Sequence, residues 1–388
     1  MPGGSCADTL TPMVCVYCGQ VKTEPFTTEH VLPKALGGNL EPTNPFLVSV
    51  CKRCNTLCGV YVGRPFMQGF FTQADNVLAS RSYVDLSRHP ALPLWHWGPE
   101  DCLDMPDGRV CDFSIGPTGD HVYHFHYHHL PSTRWDDRDP GFVSLLIVAK
   151  NPAWHPAIVQ PVTKAFPGAT FYLGNGPTPT APGFAEIPPD KENLVKRVRS
   201  LPTERTFKAA WDLADGDRFL AKLALGFGAL FLAEDFPKSN PASLLRRVLW
   251  TPSPKEREAL PLSGERFSPS DDDLAIDGGH VFLLQPTGGK LALRVYIYKQ
   301  RGTVAVTADH RHWEDRVLPD GMVFIVIPGL RRYVGPVNLI DYLRWKRAGV
   351  PHDDLDRLKE EMDQLSVLPP FHLDVAVPTP SLDRLPDA

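Results

Sequence analysis

The sequence predicts an α+β protein in two parts: a small N-terminal unit stapled by a metal ion, then a larger mixed α/β domain with antiparallel strands and a buried helical segment. Three observations predict it. Cysteines pair as CxxC at Cys15/Cys18 and again at Cys51/Cys54, a spacing that suits tetrahedral thiolate ligation. Apolar runs punctuated by Gly, Pro and Asp clusters read as short strands. Residues from about 190 to 250 instead place apolar side chains at three-and-four spacing, the period of a helix.

The 388 residues, 43% apolar and 22% charged, suit a globular chain with more than one core. Forty prolines, roughly twice ordinary usage, predict many short elements joined by stiff turns. A net charge of -5 gives no overall attraction to nucleic acid, so phosphate contacts need a local basic patch. The clustered cysteines and an opening, MPGGSCADTLTP, with no charged-then-apolar leader predict a reducing, cytoplasmic setting. The longest apolar run, Phe219 to Ala233, is broken by Lys222 and falls short of the ~20 residues of a membrane span. No membrane partner is expected.

In chain order, VCVYCG reads as a first cysteine knuckle and VSVCKRCNTLCG as a second that opens a helix, with EHVLPKALGG between them. From about 64 to 190, YVDL, HVYHFHYHHL, FVSLLIVAK and ATFYLG read as strands. KENLVKRVRSL, TERTFKAAWDLA, GDRFLAKLALGFGALFLAEDF and PASLLRRVLW read as helices. The third is apolar nearly all round, which marks the buried centre of the second domain. GHVFLLQP, KLALRVYIYK, TVAVTA and GMVFIVIPG then predict an antiparallel meander, followed by helices over VNLIDYLRWKRAG and DDLDRLKEEMDQL. The domains expected are 1–75, 76–370 and a proline-rich tail, 371–388.

The four paired thiolates close a zinc ion's coordination shell, so that zinc is structural and contributes folding free energy. Cys58, one turn after Cys54, reads as a packing thiol. Between the knuckles lie the adjacent Glu29 and His30, then Pro33 and Gly37-Gly38; Asn55 directly follows Cys54.

These residues resemble the zinc-containing HNH endonucleases, whose ββα-metal fold hangs a catalytic hairpin and helix on two knuckles. EHVLPKALGG resembles that family's acid-His-hydrophobic-x-Pro segment and CKRCN its closing knuckle; the likeness covers about residues 13 to 63. It implies hydrolysis of DNA phosphodiester bonds. His30 would be the general base, and Glu29 and Asn55 would hold one divalent ion, Mg2+ or Mn2+. Asn44 would brace the loop that aims the base, with Asn39 as the alternative. Glu where Asp is commoner before the histidine, and Asn where His is often the last ligand, depart from the usual pattern but are chemically workable. Lys34, Lys52 and Arg53 are candidate phosphate contacts or plain solvated charge. A non-catalytic zinc module that docks nucleic acid or protein is the rival reading.

Three further features are weaker. His124, His126 and His128 fall on one face of a strand, open to a second metal, a phosphate-facing surface or an ordinary polar face. Arg331, Arg332, Arg344, Lys346 and Arg347 form a basic patch or a solvated face. DRDPG and SPSDDDLAIDGG read as acidic loops. By analogy with free-standing nucleases, the expected role is antiphage defence, with an activating ligand or partner subunit acting through the C-terminal domain. A homodimer is compatible with these residues.

Overall fold

The computed structural model describes residues 12–80, 94–99, 109–116, 121–127, 144–148, 170–174, 178, 184–189, 192–201, 213–251, 256, 264–270, 272–307 and 309–364. The fold is α+β. The chain parts into two compact units, residues 1–85 with 210–366, and 86–209 with 367–388. The N-terminal module thus shares a unit with the residues after 210, and the expected division near residue 75 is not where the units separate. The reason is a single hydrophobic core whose two halves lie on either side of residues 86–209 in the chain. YVDL, DRDPG, most of TERTFKAAWDLA and the 371–388 tail lie outside the described residues.

The first half is built from short pieces. Strands β1 (Met13–Val14) and β2 (Val21–Lys22) pair around the first knuckle, and β3 (Phe26–His30) pairs antiparallel with β4 (Leu47–Cys51). Helix α1 (Lys52–Cys58) follows β4 without a loop, widens into a π turn over Gly59–Gly63, and continues as α2 (Arg64–Gln68) and α3 (Phe70–Ser80).

Residues 86–209 contain a five-stranded sheet of β5 (Trp95–Pro99), β6 (Arg109–Ile115), β7 (His121–Tyr127), β8 (Ser144–Val148) and β9 (Thr170–Leu173), in that spatial order. Helix α4 (Glu192–Arg199) belongs to the same unit. The β8–β9 pair is parallel and the others antiparallel. In the central strand β7, Val122, Tyr123, His124 and Phe125 are all buried, so His124 does not belong to an open histidine face. The side chain of His126, and His128 altogether, lie outside the described residues.

The second half of the first unit opens with α5 (Leu213–Phe231) and α6 (Asn240–Trp250). Ser239 caps α6 by accepting from the Ala242 amide. A six-stranded antiparallel sheet follows: β10 (Gly264–Pro269), β11 (His280–Thr287), β12 (Lys290–Ile297), β13 (Gln300–Thr307), β14 (Met322–Ile327) and β15 (Arg332–Asn338). Its spatial order, β10-β13-β12-β11-β14-β15, departs from the simple meander expected, because β14 returns to the free side of β11. The last helices are α7 (Leu339–Ala348), capped by Asn338, and α8 (Asp353–Asp363).

Period-two alternation gives this sheet two apolar faces. Val281, Leu283, Tyr296, Val323 and Ile325 pack with Tyr342, Leu355 and Leu358 of α7 and α8. Phe282, Leu284, Leu293, Val295 and Phe324 face the core that includes α5, α6 and the N-terminal module. Phe46, just before β4, sits with its ring 5.5 to 6.0 Å from those of Phe227, Phe282, Phe324 and Tyr333. Phe66 stacks on Phe219 at 4.0 Å. Each fully buried ring of this kind contributes roughly 1.5–3 kcal/mol, so the module depends on α5 and the sheet for its core. Helix α5 is the buried centre of this shared unit rather than of a separate second domain. At Gly226 an added Cβ would stand 2.5 Å from Val31 Cγ1, so glycine is what lets the chain after β3 lie against α5.

The arginine cluster is ion-paired: Arg331 with Glu41, Arg332 with Glu361, Arg344 with Asp341 and Arg347 with Asp273. Those pairs cancel most of its positive field and tie loops and helices to the sheet. In the acidic loop, Asp272 accepts from Tyr296 Oη and Arg301, and Asp273 holds Arg347, so both serve the fold.

Candidate active site

Cys15, Cys18, Cys51 and Cys54 bring their sulfur atoms within 4.8 Å of one another. The first pair sits on the tight turn between β1 and β2, where Gly19 donates to the Cys15 carbonyl at 2.7 Å and takes a left-handed φ of 72°. The second pair spans the junction of β4 and α1, which places one thiol at the strand end and the other one turn into the helix. A Cys54 thiol donating to Cys15 Sγ pulls the Cys15 thiol down to about 4, while Cys54 is pushed up by the same bond. Such sharing marks sulfurs close enough for one positive ion to replace the proton between them. Four thiolates at this spacing fit zinc, and the set is closed to substrate. Cys58 stays outside the quartet, and burial pushes its thiol up to about 12, as suits a packing group.

Two side chains from α6 secure the first knuckle. Trp250 Nε1 donates to the Tyr17 carbonyl at 2.6 Å. Arg246 donates to the carbonyls of Val16 at 3.2 Å and Pro237 at 2.8 Å. Its guanidinium therefore stands beside the sulfurs, where a zinc tetrathiolate would carry net negative charge.

The second pair in turn anchors β3 and β4, whose register sets Glu29 opposite Val48 and His30 opposite Leu47. Alternation along β3 turns Glu29 and Thr27 to one side and His30 and Thr28 to the other. Thr28 is exposed and Glu29 buried, so His30 shares the open face. Its imidazole is half-buried and makes no hydrogen bond among the described residues. Burial holds its pKa below the usual 6.5; Lys34 and Lys222 push the same way and Glu29 opposes them. The ring is accordingly neutral near pH 7 and able to accept a proton.

Asn55, on the first turn of α1, donates Nδ2 to Thr27 Oγ1 and to the Thr28 carbonyl, each at 3.0 Å. Those bonds fasten the helix to β3 beside Glu29 and His30 and leave Oδ1 as the group available to a cation. Asn44 braces the connecting loop: Nδ2 donates to the Gly38 carbonyl at 2.6 Å and Oδ1 accepts from the Phe46 amide at 2.9 Å. Asn39, the alternative, is exposed. At Gly38 a Cβ would lie 1.8 Å from the Leu32 carbonyl oxygen, which accounts for the second glycine of the motif. Buried His280 of β11 adds a strut from below, its Nε2 2.8 Å from the Leu36 carbonyl.

Glu29 was read from sequence as a metal ligand alone. In the structure its Oε1 pairs with Lys222 of α5 at 2.8 Å. Lys222 also donates to the carbonyls of His30 at 3.0 Å and Val31 at 3.1 Å. Sequence reasoning missed its part in the site, although its signal was present: one lysine breaking the chain's longest apolar run. Lys34, Lys52 and Arg53 are all exposed and have no ion-pair partner among the described residues, and Lys34 is near enough to His30 to influence its charge.

A family model described as HNH endonuclease matches residues 15–71. Neither a curated protein nor a solved structure matches the chain. Among the described residues, no helix is long and apolar enough to cross a membrane.

Proposed function

We propose, from the premise that the N-terminal part of this chain is a zinc-containing HNH endonuclease module, that the protein is a metal-dependent nuclease hydrolysing DNA phosphodiester bonds. What supports the reading is that one thiolate-anchored frame carries an imidazole, a carboxylate and an amide close in the chain's fold: His30 and Glu29 are neighbours on alternate sides of β3, and Asn55 is bonded to β3 from α1. His30 accepts a proton from the attacking water, which adds to phosphorus as the 3′ oxygen departs. Glu29 and Asn55 offer hard oxygen donors of the kind that hold Mg2+ or Mn2+. Such an ion, when bound, supplies positive charge to the phosphate and to the leaving oxygen. Asn44 fixes the loop that follows the base. Lys34, Lys52 and Arg53 hold the flanking phosphates, and they provide the local positive charge that a chain of net charge -5 requires.

In this proposal an activating ligand or partner subunit acts through the part of the chain that follows the module, as in an effector directed against foreign DNA. Incubating supercoiled plasmid with the zinc-loaded chain, with and without Mg2+, tests the reading. Nicked product that needs Mg2+ and disappears with a chelator supports it. Retardation of the plasmid with no nicking under any divalent ion or added cell extract favours a module that only docks nucleic acid.

A further inference from the structure

Among the described residues outside the matched segment, Lys222 is one that bonds β3 directly, and it does so from the middle of α5. Its side chain is 3% exposed. Burying an ammonium is costly unless it is paired and hydrogen-bonded, and this one is both. It has three protons and three acceptors: Glu29 Oε1 at 2.8 Å, the His30 carbonyl at 3.0 Å and the Val31 carbonyl at 3.1 Å. An ammonium has no further donor. The two backbone carbonyls therefore fix the ammonium in place, and the fixed ammonium holds one oxygen of Glu29.

A lysine placed only to neutralise a buried acid would need no backbone acceptors, and any cation would serve. This arrangement holds Oε1 alone, and among the described residues no hydrogen bond or ion pair takes Oε2, which is left for another partner. We propose that Lys222 is a positioning residue of the nuclease site, acting through Glu29 so that the carboxylate presents a single oxygen to the divalent ion. The proposal rests on the nuclease reading above. It gives that ion one oxygen from Glu29 and one from Asn55 as protein ligands, so its hold is completed by water and by the substrate phosphate.

The test uses the full zinc-loaded chain and its Lys222→Arg variant, with Mn2+ as the divalent probe. Binding of Mn2+ without DNA is followed by electron paramagnetic resonance, and plasmid nicking is measured at saturating Mn2+. Arginine keeps the charge, so Glu29 is not stranded, but its planar fork grips a carboxylate by both oxygens. The expected result is a variant with one zinc per chain and an unchanged melting midpoint that binds Mn2+ at least fivefold more weakly and nicks at least tenfold more slowly. Losses under threefold in both would overturn the proposal and leave Lys222 a structural ion pair. Should Lys222→Arg lose zinc, the comparison passes to Glu29→Gln with and without Lys222→Met, both checked for zinc content, since the single variant leaves the Lys222 ammonium without its carboxylate and the double variant strands no buried charge. Nicking by the double variant within threefold of Glu29→Gln supports action through Glu29, and a larger drop with zinc retained overturns it. A parent that neither binds Mn2+ nor nicks rejects the nuclease reading itself, a result visible before any variant is compared.

Discussion

Trp250 on α6 and Tyr17 in the first cysteine knuckle are joined by an indole-to-carbonyl hydrogen bond of 2.6 Å across 233 residues of sequence. The knuckle is thereby built from both halves of the chain that enclose residues 86–209. Outer-shell partners of a metal site typically account for 10- to 100-fold in affinity when removed. Trp250→Phe keeps most of the packing and deletes the donor, so zinc should leave for a chromogenic chelator about tenfold faster than from the parent. An unchanged release rate would mean that the knuckle holds its geometry without α6.

The cysteines divide into ligands and a packing group, and the division is testable at single positions. Cys51→Ser should abolish stoichiometric zinc and lower the unfolding midpoint, because binding free energy at a structural zinc site is folding free energy. Cys58→Ala should retain one zinc per chain and cost about 1 kcal/mol, the ordinary effect of trimming a buried side chain. Metal analysis and urea denaturation read both. Zinc lost from Cys58→Ala but kept in Cys51→Ser would reassign the quartet.

His280 carries a pH dependence whose sign follows from its surroundings. Burial holds its pKa down to about 4, with one ring nitrogen on the Leu36 carbonyl and the other accepting from the Tyr298 amide at 3.3 Å. The folded state needs the neutral ring, whereas the unfolded chain takes up a proton below its ordinary 6.5. The contribution is therefore whole above about 6.5 and is lost as pH falls toward 4. Asp75, pushed up to about 7 by burial, runs the opposite way, since its stabilising protonated form is lost as pH rises. Comparing parent with His280→Gln isolates the histidine. Between pH 7 and 4.5 the parent should lose about 2–3 kcal/mol more than the variant; parallel curves would show that His280 does not govern acid stability.

The zinc quartet was legible because its chemistry is local: Cys15 to Cys54 span forty residues, and thiol spacing, strand alternation and helix start are short-range signals. Cys58 read as packing is buried and outside the quartet. The domain boundary was not legible, since nothing local shows that Phe46 and Phe66 find their partners at Phe227 and Phe219. Strand β15 was missed because RYVGPVN runs straight into a helical pattern, and the helix begins only at Leu339, after the Asn338 cap. The arginines of the last third read as either a basic patch or a solvated face because sequence does not show their carboxylate partners, of which Glu41 lies 290 residues from Arg331. Lys222 was visible as an anomaly in an apolar helix, and only the fold supplied its partners.

His30 as the base of a hydrolytic site is checked by the rate of plasmid nicking by His30→Ala against the parent, at matched zinc content and saturating Mg2+. A positioned general base is worth roughly 10²–10⁴-fold in rate, so the variant should cut at least a hundredfold more slowly while keeping its zinc and its unfolding midpoint. Equal rates for the two proteins would contradict the account.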